Sequence, residues 1–200
     1  MIIWNTLIAH YVWLVAWLGS CLLLGVACWG KLGEYDSYDA PPWPNPELAI
    51  SLSVCTGLAV HILALIVRAL LGMLHPVSIV ATFMALSVAS LVYLYHDPVG
   101  WNQFVSAFRM GHFEWLKVLP VLLVILPWIL RPLGPPYGMD ALTYHLPYAQ
   151  FYLDQGGLAV NENLRFPLHT HNVNLLYSVA LLRPGTQLAQ ALHASMGFLA

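Results

Sequence analysis

The chain has 200 residues, 60% of them hydrophobic and 8% charged, with a formal net charge of −2 and a mean hydropathy of +0.71. Soluble domains carry about 25% charged residues, so this composition argues against a water-soluble core, and the scattered Lys and Arg residues form no basic stripe that could neutralise a row of phosphates, which argues against nucleic-acid binding. Cys21, Cys28 and Cys55 lie in apolar segments with neither a CxxC pair nor a Cys/His zinc spacing, so they read as packing residues and imply no redox compartment.

Residues 2–30 contain no charged side chain. At about 1.5 Å per residue that run exceeds the roughly 20 residues needed to cross hydrocarbon, and it is predicted to be a membrane span. A secretory signal peptide is the alternative, but the first five residues offer no Lys or Arg. A polar linker follows over 31–47, with Glu34, Asp36, Asp39 and Glu47 among Pro41, Pro42, Pro44 and Pro46; such proline density forbids a regular helix. Asp36 and Asp39 read as solvated linker residues.

Two further spans are predicted over about 48–71 and 77–95, divided by the His75-Pro76 turn. Arg68 sits near the end of the first, where its side chain can snorkel to the headgroups. Tyr93, Tyr95, His96 and Asp97 close the second as an interfacial belt. Residues 99–113, with Trp101, Phe104, Phe108, Arg109 and Phe113, are predicted to form a helix lying in the interface. A fourth span is predicted over about 115–131, ending at Arg131-Pro132.

The predicted organisation is therefore four transmembrane helices in residues 1–131, a long polar loop in 132–172, and re-entry over 173–200 as an apolar run from Val173 to Leu182, a break at Arg183-Pro184-Gly185 and a resumed apolar run from Leu188. The last apolar run is still helical in pattern at Ala200. A helix stopping in hydrocarbon would leave its carbonyls without partners, so the pattern predicts a longer parent protein. Four spans put the 132–172 loop on the same side as the N-terminus, opposite the 31–47 linker. Charge bias does not orient the protein, because Lys31, Arg109 and Lys117 flank one side and Arg68, Arg131 and Arg165 the other.

The loop carries Gly138-Met-Asp-Ala-Leu-Thr-Tyr-His-Leu-Pro-Tyr-Ala-Gln-Phe-Tyr-Leu-Asp-Gln-Gly-Gly157, then Asn163-Leu-Arg-Phe-Pro-Leu168 and Asn174-Leu-Leu-Tyr177. Over about 60 residues this resembles the bacterial polytopic glycosyltransferases of the GT-C superfamily, related to the lipid A aminoarabinose transferases and protein O-mannosyltransferases. The resemblance implies an all-α, polytopic transmembrane bundle whose long extracytoplasmic loop carries interfacial helices. It also implies a bacterial inner-membrane enzyme that moves a sugar from a polyprenyl-phosphate carrier to a lipid, glycan or protein acceptor. The acidic residue that opens the first large loop in such families corresponds to Asp140. Two departures stand out: four spans precede the loop where better-known relatives have one, and the block after Phe-Pro-Leu reads His169-Thr-His171-Asn-Val-Asn174 where an acidic residue is common.

Asp140 is thus the candidate catalytic base, since sugar transfer to a hydroxyl needs a group to take its proton. An Asp ahead of Ala-Leu-Thr-Tyr is equally suited to cap a helix through its side-chain oxygen. Tyr144, Tyr148 and Tyr152 recur every four residues and so share a helix face, either as interfacial anchors or as a surface for the carrier lipid or sugar. Tyr144, His145 and Tyr148 are the substrate-binding candidates on this helix. Pro147 has to kink the helix or sit in its first turn, and Gly156-Gly157 is its expected stop. Arg165 could grip phosphate oxygens with two parallel N–H bonds, while Arg131 reads first as a snorkelling anchor. His145, His169 and His171 beside Asp140 could ligate a divalent metal, but their spacing fits no tight motif and no metal site or cofactor is assigned.

A non-catalytic membrane subunit remains a rival reading. A transporter is the other, although the spans carry almost none of the ionisable residues that would face a midplane cavity.

Overall fold

The computed structural model describes residues 2–32, 46–110, 138–164, 166 and 172–199, together with 126, 130, 132 and 134–136. The linker residues Glu34, Asp36 and Asp39, nearly all of the fourth predicted span, and Arg131, Arg165, His169 and His171 lie outside the described residues.

Three long helices come first: α1 (Ile2–Leu32), α2 (Pro46–Leu70) and α3 (Pro76–His96). All three are long and apolar enough to cross a membrane, α1 through Ile8–Gly30, indicating a membrane-embedded protein. Their boundaries follow local chemistry. Pro46 opens α2 with Glu47 in its first turn, where a carboxylate complements the helix dipole. His75 is extended, at φ −106° and ψ 154°, as the residue before a proline prefers. Asp97 ends α3, and its carboxylate accepts the Tyr93 hydroxyl at 2.8 Å.

α1 and α2 approach closely because small residues face each other. A Cβ on Gly57 would overlap the Cys21 carbonyl, and one on Gly25 would overlap that of Ser53. In lipid, helix association depends on this backbone proximity and on interhelical hydrogen bonds. Trp29 donates to Thr56 at 3.0 Å. Buried His61 bonds the Gly57 carbonyl at 2.8 Å and Ser20 at 3.3 Å, and Ser20 meets Ser87 at 2.6 Å. That chain of polar groups ties all three spans together.

α4 (Val99–Met110) forms where the interfacial helix was expected, and it packs Phe104 and Ala107 against Val26 of α1 and Ala49 of α2. It therefore caps the end of the bundle where α1 stops and α2 starts.

At the other end lies the helix built from Met139 and Asp140, a π-helical turn (Ala141–His145) and α5 (Leu146–Gln155). Pro147 sits in the first turn of α5. Gly156 ends it in the left-handed region at φ 69°, with Gly157 donating to Tyr152 at 3.1 Å, so the expected glycine stop is present. Leu74 then donates to Gly156 at 2.7 Å and Leu158 to Ala69 at 3.2 Å. These bonds fasten the segment to the α2–α3 turn, at the opposite end of the bundle from α4.

The apolar pattern from 173 breaks at the expected Arg183-Pro184-Gly185 turn, giving a short helix, α6 (Asn172–Ala180), and then α7 (Gln187–Leu199). α6 has nine residues, too few to span hydrocarbon. Residues 174–180 are all buried, and the polar side chains among them, Asn174 and Ser178, are hydrogen-bonded as a core position requires. α6 packs on α5 and α2, and α7 on α1 and α6.

Candidate functional site

A cavity of about 390 Å³ opens between the π-helical turn, α6, α7 and the segment before Asp140. Asp140, His145, Tyr177, Gln190 and His193 supply its polar groups, and Pro132, Leu146 and Ala189 are among its apolar walls.

Asp140 is exposed. Its backbone is already helical, at φ −65° and ψ −38°, and its side chain makes no capping hydrogen bond. The N-cap alternative is therefore not realised, and the carboxylate is left facing the cavity. The π-helical turn brings a second polar group to the same cavity. An α-helix advances about 100° per residue, so residues 140 and 145 would diverge by roughly 140° in a regular helix. Bonding from residue i to i+5, seen where the Leu146 N–H meets the Ala141 carbonyl, widens the turn so that Asp140 and His145 both line the cavity. Such π-bulges are frequent at functional sites.

His145 is held from several directions. Its Nδ1 lies 2.7 Å from Oδ1 of Asn174 on α6, its ring is 4.1 Å from that of Tyr144, and Tyr177 meets it edge-on at 5.8 Å. Tyr177 shares a 2.7 Å hydrogen bond with Nδ1 of His193 on α7. Burial, with the neighbouring Tyr144 second, pushes the Tyr177 phenol up to about 12. Gln190 donates to the Gly134 carbonyl at 2.9 Å, which anchors the segment entering the site.

The predicted site residues thus divide. Asp140 and His145 come together on the cavity wall. Tyr144 stands beside His145 and packs edge-on against Phe166 at 5.4 Å. Tyr148 is not on the wall: it is 0% exposed and packs 5.7 Å from Tyr152, which is 2% exposed. The two lower tyrosines of the expected stripe are core residues covered by neighbouring helices, not interfacial anchors or ligand contacts. Burial raises the Tyr148 phenol and, with Tyr148 nearby, pushes Tyr152 up to about 12. Arg165 falls outside the described residues.

Asn174, Tyr177, Gln190 and His193 were not singled out as site residues from sequence. Asn174 and Tyr177 close the motif that carries the family resemblance, whereas nothing local marks His193. Among the described residues no three His, Cys, Asp or Glu side chains come together to hold a metal ion.

No family profile and no solved structure matches the chain. An uncharacterized protein of Shigella flexneri is 29% identical over 99 residues, covering 44% of this chain and 50% of the relative. The chain spans about half the length of that curated relative.

Proposed function

We propose that this chain belongs to a GT-C-type membrane glycosyltransferase that moves a sugar from a polyprenyl-phosphate carrier to a lipid, glycan or protein acceptor. The observation that carries the reading is the pairing of Asp140, exposed and uncapped, with His145 on one cavity wall at the end of an apolar bundle. Transfer to a hydroxyl requires an acceptor for its proton next to the reacting carbon. Asp140 is the catalytic carboxylate: it lies beside the acceptor hydroxyl and faces the anomeric carbon as positive charge develops there. In this reading residues 132–172 lie outside the cytoplasm, at the inner membrane's outer face, where a lipid-linked sugar meets the cavity from the bilayer. Arg165 is the proposed phosphate ligand.

The test is Asp140→Asn in the full protein. A transferase loses roughly 100-fold or more of its sugar transfer while inserting normally, since the carboxylate supports no capping bond. A non-catalytic membrane subunit keeps its assembly role and shows no transfer to lose.

A further inference from the structure

We propose that His145 is the group that finally takes the acceptor proton, and that Asn174 is the positioning residue that makes it a base; the inference rests on the transferase reading above. An amide oxygen can only accept, so the 2.7 Å contact from Nδ1 of His145 to Oδ1 of Asn174 puts the imidazole proton on Nδ1. Nε2 then keeps its lone pair, and it has no hydrogen-bond partner among the described residues.

Asn174 is well placed to hold that tautomer. It is 2% exposed, and the Ser178 hydroxyl one turn along bonds the carbonyls of both Asn174 and Ala149 at 3.1 Å, clamping α6 to α5. A base within reach of the reacting group and oriented by a third residue is the general arrangement for activating a weak nucleophile. The π-helical turn supplies the remaining requirement by putting Asp140 on the same wall. The titratable groups around the ring are Asp140 and Tyr144 on its own helix, Tyr177 on α6 and His193 on α7.

In the step itself the acceptor hydroxyl proton passes to Nε2 as the acceptor oxygen bonds the anomeric carbon. The bond from that carbon to the phosphate oxygen breaks, and its electron pair leaves on the phosphate. The Asp140 carboxylate stabilises the imidazolium, which returns its proton to water.

The test uses membranes containing the full protein, supplied with tritiated glucose, mannose or galactose on polyprenyl phosphate; label moving into endogenous lipid and glycan is counted. His145→Gln and Asn174→Leu each lower kcat about 100-fold, with KM changed by less than about threefold. Asn174→Asp still accepts from Nδ1–H, so it keeps kcat within about threefold. It also moves the acid limb of the pH profile upward, because a carboxylate beside the ring favours imidazolium. Wild-type kcat in His145→Gln or Asn174→Leu overturns the assignment and leaves the transferase reading standing, as does an Asn174→Asp variant no better than Asn174→Leu. Wild-type membranes that transfer no label from any of the three donors overturn both.

Discussion

Asp140 and His145 share one cavity wall although five positions separate them in the chain, because the turn between them is π-helical. The extra residue in that turn, not a change in direction of the helix, is what pairs a carboxylate with an imidazole. Inserting one alanine after Thr143 puts six positions between the two residues and swings Asp140 about 100° further round the helix axis from His145. Sugar transfer then falls by roughly 100-fold, while circular dichroism of the purified protein shows unchanged helix content. Transfer within a few-fold of wild type would show that the pairing is incidental.

Tyr148 separates packing from ligand binding. Tyr148→Phe keeps the buried ring and costs about 1 kcal/mol for the lost hydroxyl, with transfer unaffected. Tyr148→Ala empties a fully buried site and costs about 3–5 kcal/mol. Thermal unfolding in detergent reads both, and a Phe variant that is stable but inactive would return Tyr148 to the substrate surface.

The α1–α2 contact leaves no room for a methyl group at Gly57, where a Cβ runs into the Cys21 backbone carbonyl. Gly57→Ala is expected to destabilise the bundle by about 1–3 kcal/mol or more, and Gly25→Ala similarly against Ser53. Gly19, where a Cβ meets nothing within 4 Å, is the control: Gly19→Ala is neutral in the same unfolding assay.

Tyr152 and Tyr177 link stability to alkaline pH. Both phenols are pushed up to about 12 in the folded protein, above the value of about 10 for an unfolded chain. The unfolded state therefore loses these protons first. Their contribution is fully present below pH 10 and is lost as pH rises from about 10 through about 12. Unfolding midpoints should fall between pH 9 and about 11.5, and phenolate absorbance should lag behind that of the denatured protein; parallel curves would place both rings in water.

Much of the bundle was legible in the sequence. Apolar runs bounded by Pro46 and Pro76 located α2 and α3 to within two residues, and Gly156 marked the end of α5. Asp140 and His145 were legible as chemistry, though not as a pair. No local pattern distinguishes bonding to i+5 from bonding to i+4, and only Pro147, which lacks an N–H, hinted that the preceding turn was irregular. Four-residue spacing put the three tyrosines on one face without saying that Tyr148 and Tyr152 are buried. The buried run at 174–180 looked like the start of a span because a short core helix and a membrane helix share the same apolar surface. His193 reaches Tyr177 only through tertiary packing.

The central claim is that the Asp140 cavity opens on the face of the membrane where a lipid-linked sugar is presented. With Cys21, Cys28 and Cys55 replaced by Ala, an Asp140→Cys protein in intact cells can be exposed to a membrane-impermeant maleimide. Labelling from outside, slowed by added polyprenyl-phosphate sugar, is the expected result. Labelling only after the inner membrane is permeabilised would put the cavity in the cytoplasm and contradict the claim.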